Sequence, residues 1–179
     1  MPPWLITLPD FSLRPWTPDD APSLARTLSA SDAHLRAFTP WVVDGRVPGV
    51  SLADRLAKHA ADFSAGTEWV YGMFSPDDTE VLGGCGLYPR VGPGAVEIGY
   101  WLAVNHTGRG LATRAADALT HVAFDVLRVD RIEIRCDRGN AASVRIPERL
   151  GYRLVDSSDA PADLLVFSRT RTAAPGAAT

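Results

Sequence analysis

A short glycine loop followed by a strong amphipathic helix carries the residues in this sequence that are best suited to chemistry. Gly108 and Gly110 flank Arg109, and Arg114 lies about one helical turn further on. A helix start leaves free N–H groups and a partial positive charge. An Asp or Glu in the first turn usually balances that charge. This helix has no acidic residue before Asp117. The arrangement predicts an anion supplied from outside, such as a phosphate or pyrophosphate that the glycine backbone can approach closely.

The same loop has a simpler interpretation, a glycine turn that carries two solvated arginines, because short glycine motifs are frequent by chance. Two named nucleotide-binding motifs do not fit. The dinucleotide-binding pattern needs a third Gly or Ala where Thr113 stands, and a P-loop needs a lysine that this segment lacks. A nucleotide-binding regulator that uses the same anion loop stays open as a remote alternative.

The elements around the loop predict how it is held. An apolar stripe that begins at Leu111 indicates a helix over Arg109–Leu127. A strand is predicted before it, over Ala95–Val104, and another after it, over Arg131–Asp137. A strand, a crossover helix and a second strand imply a parallel pair.

The rest of the chain predicts an α+β (mixed α/β) fold, with a mostly antiparallel central sheet, one parallel βαβ pair and flanking helices. Further helices are expected after the cap Thr17, over His34–Trp41, over Ser51–Gly66 and from Asn140 to Gly151. Three consecutive strands, ending with Ala95–Val104, are typical of an antiparallel meander. The other predicted strands are Phe11–Arg14, Glu68–Ser75, Val81–Tyr88, Tyr152–Val155 and Leu164–Thr170.

Length and composition fit one globular domain, 1–179, with a core at 11–170, an arm at 1–10 and a disordered tail at 172–179. The net charge of −3 argues against nucleic-acid binding through bulk positive charge. No apolar run reaches the roughly 18 residues of a membrane span, and the first residues do not resemble a signal peptide. The two cysteines and four histidines show no metal-like spacing, so we expect no metal and a reducing, cytoplasmic setting.

Five segments with recognisable motifs follow one another along the chain. They are Glu97–Leu102, Gly108–Thr113, Arg131–Asp137, Asn140–Ser143 and Glu148–Tyr152. In this order and at this spacing they resemble the GNAT superfamily of acetyl-CoA-dependent N-acetyltransferases. Leu13–Trp16 and Phe38–Trp41 are similar to the N-terminal half of one branch, which includes the ribosomal-protein N-terminal acetyltransferases of the RimJ/RimL type.

The resemblance implies an acetyl-CoA site built from three parts of the chain. The pyrophosphate of coenzyme A would lie on the glycine loop, the pantetheine arm would pair with the exposed strand edge before it, and the start of the last helix would contact the arm and thiol end. The implied cofactor-binding residues are Leu102, Ala103, Val104, Gly108, Arg109, Gly110, Leu111, Ala112, Thr113, Arg114, Asn140 and Ser143.

The implied reaction is direct attack of a neutral amine on the thioester, which needs a proton acceptor, oxyanion donors and a proton for the leaving thiolate. Glu97, an acid within an apolar strand, is the candidate base, acting through water; the alternative is a structural ion pair with an arginine. The oxyanion donor would be a backbone N–H near Leu102 or Ala103. Ser143 is the candidate thiolate-side donor, with a helix-bonded serine as its alternative. Tyr152 is a second candidate, with core packing at the start of a strand as its alternative.

His34, Phe38 and Trp41 could line the acceptor pocket, since the first helices cover it in this family; a helix that packs on the sheet is the alternative. The resemblance implies a primary amine as acceptor, foremost a protein or peptide N-terminal α-amine. A small-molecule amine, amino-acid-like or antibiotic, and a non-catalytic acyl-CoA-binding module remain alternatives. No nucleic-acid or membrane partner is expected, and a homodimer is expected only by analogy.

Two residues depart from the family pattern. Asn105 stands where Gln or Arg is usual, which weakens the predicted phosphate contacts. Pro147 lies inside the last helix, four residues after Ser143. An interior proline removes one helical hydrogen bond and clashes with the carbonyl four residues earlier, at a cost of about 3 kcal/mol. We therefore predict a kink or an early break there, which would displace the Ser143 end of the thiol pocket.

Overall fold

The computed structural model describes residues 1–39, 49, 51–156 and 160–171. One eight-stranded sheet runs through it in the order β1-β2-β3-β4-β5-β6-β8-β7. Its strands are β1 Ile6–Leu8, β2 Phe11–Pro15, β3 Trp69–Phe74, β4 Val81–Tyr88, β5 Ala95–Leu102, β6 Arg131–Asp137, β7 Arg153–Val155 and β8 Leu164–Thr170.

The sheet topology confirms the predicted fold class. Every neighbouring pair of strands is antiparallel except β5 and β6, which are joined by a helical crossover and run parallel. The α-helices are α1 Ala21–Ala30, α2 Asp32–Leu35, α3 Leu52–Ala65, α4 Leu111–His121 and α5 Ala141–Arg149.

Helices cover both faces of the sheet, so the central strands bury both of their sides. On one face, α4 places Leu111 and Leu119 in the larger apolar cluster, together with Tyr71 of β3. On the other face, α1 and α3 contribute Leu28 and Leu56 to a second cluster. This two-sided burial explains why β3 and β4 are nearly continuous apolar runs in the sequence. None of the helices in the described ranges is long and apolar enough to cross a membrane.

Helix α3 follows its sequence signals closely. The Ser51 hydroxyl accepts a hydrogen bond from the Asp54 N–H at 3.1 Å, which satisfies one of the free donors at the helix start. Gly66 ends the helix in the left-handed conformation, with φ of 72°. The predicted span from Ser51 to Gly66 is therefore confirmed.

The N-terminal segment is more ordered than the predicted arm. Ile6–Leu8 forms β1 against β2, a strand that was not predicted. Before it, the Pro3 carbonyl accepts a hydrogen bond from the Tyr71 hydroxyl at 2.9 Å. Trp4 packs edge-on against Phe63, with ring centroids 5.5 Å apart. The segment thus docks on the domain core.

Three helices differ from their predicted bounds. The second helix is only Asp32–Leu35, and the end predicted at Trp41 lies outside the described residues. The crossover helix is α-helical to His121 and continues as a π-helical turn over Val122–Val126. The last helix is not broken early by Pro147, because α5 runs to Arg149. The predicted tail at 172–179 also lies outside the described residues.

Candidate active site

The parallel strands β5 and β6 are paired at only three positions and then separate. Ala95 to Glu97 pair with Arg131 to Glu133, and the pairing stops there. Strand β5 nevertheless continues to Leu102 and β6 to Asp137. Backbone groups of β5 that would have bonded to β6 therefore face an open gap, where an extended ligand could satisfy them.

Of the predicted edge residues Leu102, Ala103 and Val104, only Leu102 belongs to the strand. The Ala103 N–H donates to the Leu82 carbonyl at 2.9 Å, and the Val104 N–H donates to the Ser31 hydroxyl at 3.1 Å. Because hydrogen-bonding direction alternates along a strand, the backbone of Leu102 points away from β4 and into the gap. The edge offered to a ligand thus ends at Leu102.

The glycine loop at the start of α4 is built to expose backbone N–H groups. Gly108 and Gly110 have φ of 74° and 73°, a left-handed conformation that other residues adopt only with strain. The first helical bond runs from the Arg114 N–H to the Gly110 carbonyl at 3.1 Å, so the preceding N–H groups have no acceptor within the helix. A Cβ on either glycine would meet no atom within 4 Å, which leaves space above the loop.

The first turn of α4, which carries the predicted N–H donors, is anchored in the core. Leu111 and Ala112 are 1% and 6% exposed and anchor the first turn in the core, whereas Thr113 is half-buried. The first turn of α4 has no acidic residue. Asn105 is exposed in the short turn that precedes the loop. The geometry therefore fits the predicted anion site, with free N–H groups at the positive end of a rigid helix.

The two arginines of this segment have partners that the sequence did not reveal. Arg114 donates to both carboxylate oxygens of Asp10 at 2.8 Å, so a carboxylate from the N-terminal segment balances that charge. Arg109 donates to His106 Nδ1 at 3.1 Å, and His106 Nε2 contacts Glu80 at 3.0 Å. Because a guanidinium only donates, Nδ1 must accept and Nε2 must carry the ring proton. The prediction of two unbalanced cations at the helix start is corrected for Arg114.

A cavity of about 550 Å³ opens on the side of the gap where α3 and the first helices lie. Its floor contains glycines that leave room for aromatic rings. A Cβ on Gly84 would lie 2.6 Å from the Trp101 indole nitrogen, and one on Gly99 would lie 3.1 Å from the Tyr88 ring. The lining includes Phe38, His59, Glu68, Tyr88, Arg90, Glu97, Tyr100, Trp101 and Ser143.

Glu97 lies in this cavity and is paired with an arginine. Its side chain is 9% exposed, and its two oxygens accept from Arg90 Nε at 3.0 Å and Arg90 Nη2 at 2.6 Å. Arg135 Nε lies 3.8 Å away. Hydrogen bonding to the Glu97 carboxylate raises the pKa of Arg90 above its ordinary value. The ion pair that was the alternative interpretation of Glu97 is therefore present, at a position that also faces the cavity.

The thiol-side candidates cluster at the start of α5. The Asn140 side-chain oxygen accepts from the Ser143 N–H at 3.1 Å and so caps the helix. The Ser143 hydroxyl lies 3.2 Å from the Tyr100 hydroxyl and 3.4 Å from the Cys136 sulfur. Tyr152, the second candidate, is instead held in the core by Thr120 at 2.7 Å. Only Ser143 of the two candidates lines the cavity.

The predicted acceptor residues are placed differently from one another. Phe38 lines the cavity and is 44% exposed. His34 is exposed and lies outside the lining of this cavity. Trp41 lies outside the described residues.

Two ionisable residues of the cavity wall, His59 and Glu68, were not predicted as site residues. Their side chains approach to 3.7 Å, and His59 Nδ1 is buried without a hydrogen bond. Burial, aided by the charge of Arg55, lowers the pKa of His59 to about 4, so the ring is neutral at pH 7. Burial also raises the pKa of Glu68. Asp62 brings a third ligand-type atom to this group, all within 4.8 Å of one another.

The sequence spacing of His59, Asp62 and Glu68 did not predict that these side chains meet. His59 lies on the apolar stripe of α3, a position typical of a packed histidine, and Glu68 follows the glycine that ends the helix. The two meet because α3 packs against β3, whose first residue follows Glu68. Asp62 is held by Lys58 at 2.5 Å on the same helix, which leaves His59 and Glu68 as the polar pair open to the cavity.

Comparison with known proteins agrees with this geometry. The family described as "Acetyltransferase (GNAT) domain" matches residues 10–153. The "Probable N-acetyltransferase YjcK" of Bacillus subtilis (strain 168) is 29% identical over 121 residues, which are 66% of this chain and 63% of that protein. The match thus spans less than two thirds of that relative.

Solved structures share the fold across nearly the whole chain. Mycobacterium smegmatis RimJ in complex with CoA-disulfide superposes with a TM-score of 0.80 at 23% identity, covering 94% of this chain and 88% of that chain. A ribosomal-protein-S5-alanine acetyltransferase from Vibrio fischeri superposes with a TM-score of 0.79 at 17% identity, covering 93% and 96%. With the family match over residues 10–153, the chain belongs to the acetyltransferase (GNAT) domain family.

Proposed function

We propose that this protein is an acetyl-CoA-dependent N-acetyltransferase that modifies a primary amine, foremost the N-terminal α-amine of a protein or peptide. The observation that carries the proposal is the continuity of the site. The free N–H groups of the glycine loop lead along the unpaired edge of β5 into the cavity that holds Glu97 and Ser143. An anionic head, an extended arm and a reactive end are what coenzyme A presents in that order.

The loop and the strand edge would hold the cofactor. N–H groups of Gly110, Leu111, Ala112 and Thr113 would donate to the pyrophosphate, and the Arg109 side chain, held by His106, would add charge beside it. The Leu102 backbone would pair with the amide-containing arm. Arg114 would contribute to the shape of the loop through Asp10 more than to phosphate binding directly.

The reaction is a direct acyl transfer. The neutral amine nitrogen attacks the thioester carbonyl carbon, the C–S bond breaks, the amine gives up one proton, and the thiolate takes one up. Glu97 would receive the amine proton through water, because Arg90 occupies one lone pair on each oxygen and a carboxylate offers about four acceptor sites. Ser143 would donate toward the departing sulfur.

An N-terminal α-amine is favoured by the residues of the cavity wall and by one superposed structure. The wall contains exposed aromatic surface at Phe38 and the polar pair His59 and Glu68, which suit a chain end with its first side chain. The superposed Vibrio fischeri protein is, by its title, a ribosomal-protein-S5-alanine acetyltransferase.

The proposal is tested by incubating the protein with acetyl-CoA and a peptide panel, and by measuring free CoA and the acetylated product. Each peptide is offered with a free and with a blocked N-terminus, beside small amino-acid-like and antibiotic amines. We expect CoA release that requires the free α-amine. Turnover with small amines alone would overturn the proposal that a peptide is the acceptor. No turnover with any amine would overturn the proposal that the protein is an enzyme and would favour an acyl-CoA-binding module.

The role of Glu97 has a matched control in the chain. Glu133 lies opposite Glu97 in the sheet and is also paired with arginine, through Arg135 at 2.9 Å, but it does not line the cavity. E97Q should lower kcat about 100-fold or more with CoA affinity unchanged. E133Q should leave kcat within about twofold, as expected for a residue outside the site. Equal effects of the two substitutions on kcat would reduce Glu97 to a structural ion pair.

A further inference from the structure

Helix α5 contains a hydrogen-bonding defect next to Ser143. Pro147 has no N–H, so the Ser143 carbonyl four residues earlier loses the donor that a regular helix would supply. The helix nevertheless continues, and the Leu150 N–H bonds to the Ile146 carbonyl at 3.1 Å. A part-buried carbonyl that lacks its donor destabilises the folded state unless another group satisfies it.

The missing donor comes from across the gap. The Tyr100 hydroxyl, on β5, donates to the Ser143 carbonyl at 3.2 Å. The Tyr100 hydroxyl oxygen also lies 3.2 Å from the Ser143 hydroxyl oxygen, and it can accept a hydrogen bond from that hydroxyl. A phenol has one proton, and here that proton is used on the carbonyl, so the serine hydroxyl must act as the donor between the two side chains.

Burial of Tyr100 keeps this arrangement constant near neutral pH. It raises the pKa of the phenol well above its ordinary value, so the hydroxyl remains a donor. Cys136, 3.4 Å from the Ser143 hydroxyl, is buried and has a raised pKa for the same reason. Ser143 thus donates its proton to the Tyr100 oxygen and contacts the neutral Cys136 thiol, and its hydroxyl is held within the cavity lining.

We propose that Tyr100 is a positioning residue that replaces the hydrogen bond missing at Pro147 and thereby fixes the Ser143 hydroxyl at the thiol end of the cavity. The inference rests on the proposed function in one respect, namely that Ser143 serves the departing thiolate. Tyr100 acts through Ser143. The tyrosine hydroxyl thus compensates for the N–H that the proline lacks.

A double-mutant cycle tests the pairing. Y100F removes the donor, and P147A restores an N–H at the position that faces the Ser143 carbonyl. A third substitution, Y71F, is the matched control, because the Tyr71 hydroxyl, two strands away from Tyr100 in the sheet, also donates to a backbone carbonyl, that of Pro3 at 2.9 Å. The unfolding midpoint, kcat, KM and the Kd for CoA are measured for the single variants and for each tyrosine variant combined with P147A.

We expect Y100F to lower the unfolding midpoint by about 2–4 °C, the effect of about one lost hydrogen bond in a chain of this size. It should also lower kcat about tenfold while the Kd for CoA changes less than about twofold, because the pyrophosphate loop is on α4 and remains intact. With P147A present, both losses should fall to less than about half. Y71F should lower the midpoint by a similar amount, and P147A should not rescue it.

A further variant separates positioning from structure. In an S143A background, Y100F should still lower the midpoint but should no longer lower kcat, since the hydroxyl that Tyr100 positions is gone. If Y100F and P147A add independently in the midpoint, the pairing is overturned. If kcat of Y100F is unchanged, the positioning role is overturned. If the wild type acetylates no amine, the proposed function and the role of Ser143 fail, whereas the thermal cycle still decides whether Tyr100 replaces the bond.

Discussion

The glycine at the start of α4 provides the sharpest test of the anion loop. Gly110 has φ of 73°, and a Cβ there would meet no protein atom within 4 Å. Replacing it with alanine therefore introduces backbone strain without a clash, at a cost of about 1–2 kcal/mol. For a chain of this length that corresponds to a fall in the unfolding midpoint of about 2–8 °C. With the pyrophosphate placed on this loop, the added methyl also occupies the space that the anion approaches.

Gly151 provides the control for the strain. It has φ of 74°, has no atom within 4 Å of a Cβ, and follows α5 away from the loop. G110A and G151A should therefore lose similar stability, while only G110A should weaken CoA binding, by about tenfold or more (about 1.4 kcal/mol). Calorimetric titration with CoA measures the affinity, and thermal unfolding measures the strain. Equal CoA affinities for the two variants would refute the placement of the pyrophosphate on this loop.

Two further predictions concern hydrogen bonds that the structure reveals. H106A removes the acceptor that holds Arg109, so the Kd for CoA should rise about 3- to 10-fold; an unchanged Kd in calorimetry would show that Arg109 does not bind phosphate. Burial alone would raise the pKa of Asp20, but hydrogen bonding, chiefly from Arg14, outweighs it and lowers the pKa below 3.8. Stability from this carboxylate is therefore present above pH 3.8 and lost as the pH falls through the lowered value. Acid unfolding followed by circular dichroism should show a shallower pH dependence for D20N than for wild type, and identical slopes would contradict the assignment.

Local signals were sufficient for most of the elements. Strands β4, β6 and β8 have the predicted bounds, because local patterns define them: apolar runs in β4 and β8, and alternation of charged and apolar residues in β6. Helix α3 was predictable because its cap Ser51 and its terminating Gly66 act within one turn. The glycine loop was also predictable, since its conformation and the free N–H groups after it depend on Gly108, Gly110 and the start of one helix.

Features that depend on distant partners were not predictable from spacing. Pro147 predicted a kink or an early break. The helix is not broken, and the donor that we propose as the replacement, the Tyr100 hydroxyl, lies 47 positions earlier in the chain and on another element. The partner of Arg114 is Asp10, from a segment predicted to be an arm. The cavity pair His59 and Glu68 forms only when α3 packs beside β3. In each case the outcome depends on a tertiary contact that the local sequence pattern does not contain.

We propose that the glycine loop and the separated strands β5 and β6 hold acetyl-CoA. Thermal unfolding of the wild-type protein with acetyl-CoA, CoA, ATP or buffer tests it most directly. A ligand at 100 times its Kd adds about 2.7 kcal/mol of stability, which is about 5–10 °C for a domain of this size. We expect such a rise with both CoA species and none with ATP. A cooperative transition that does not move with millimolar acetyl-CoA or CoA, or that moves equally with ATP, would contradict the claim.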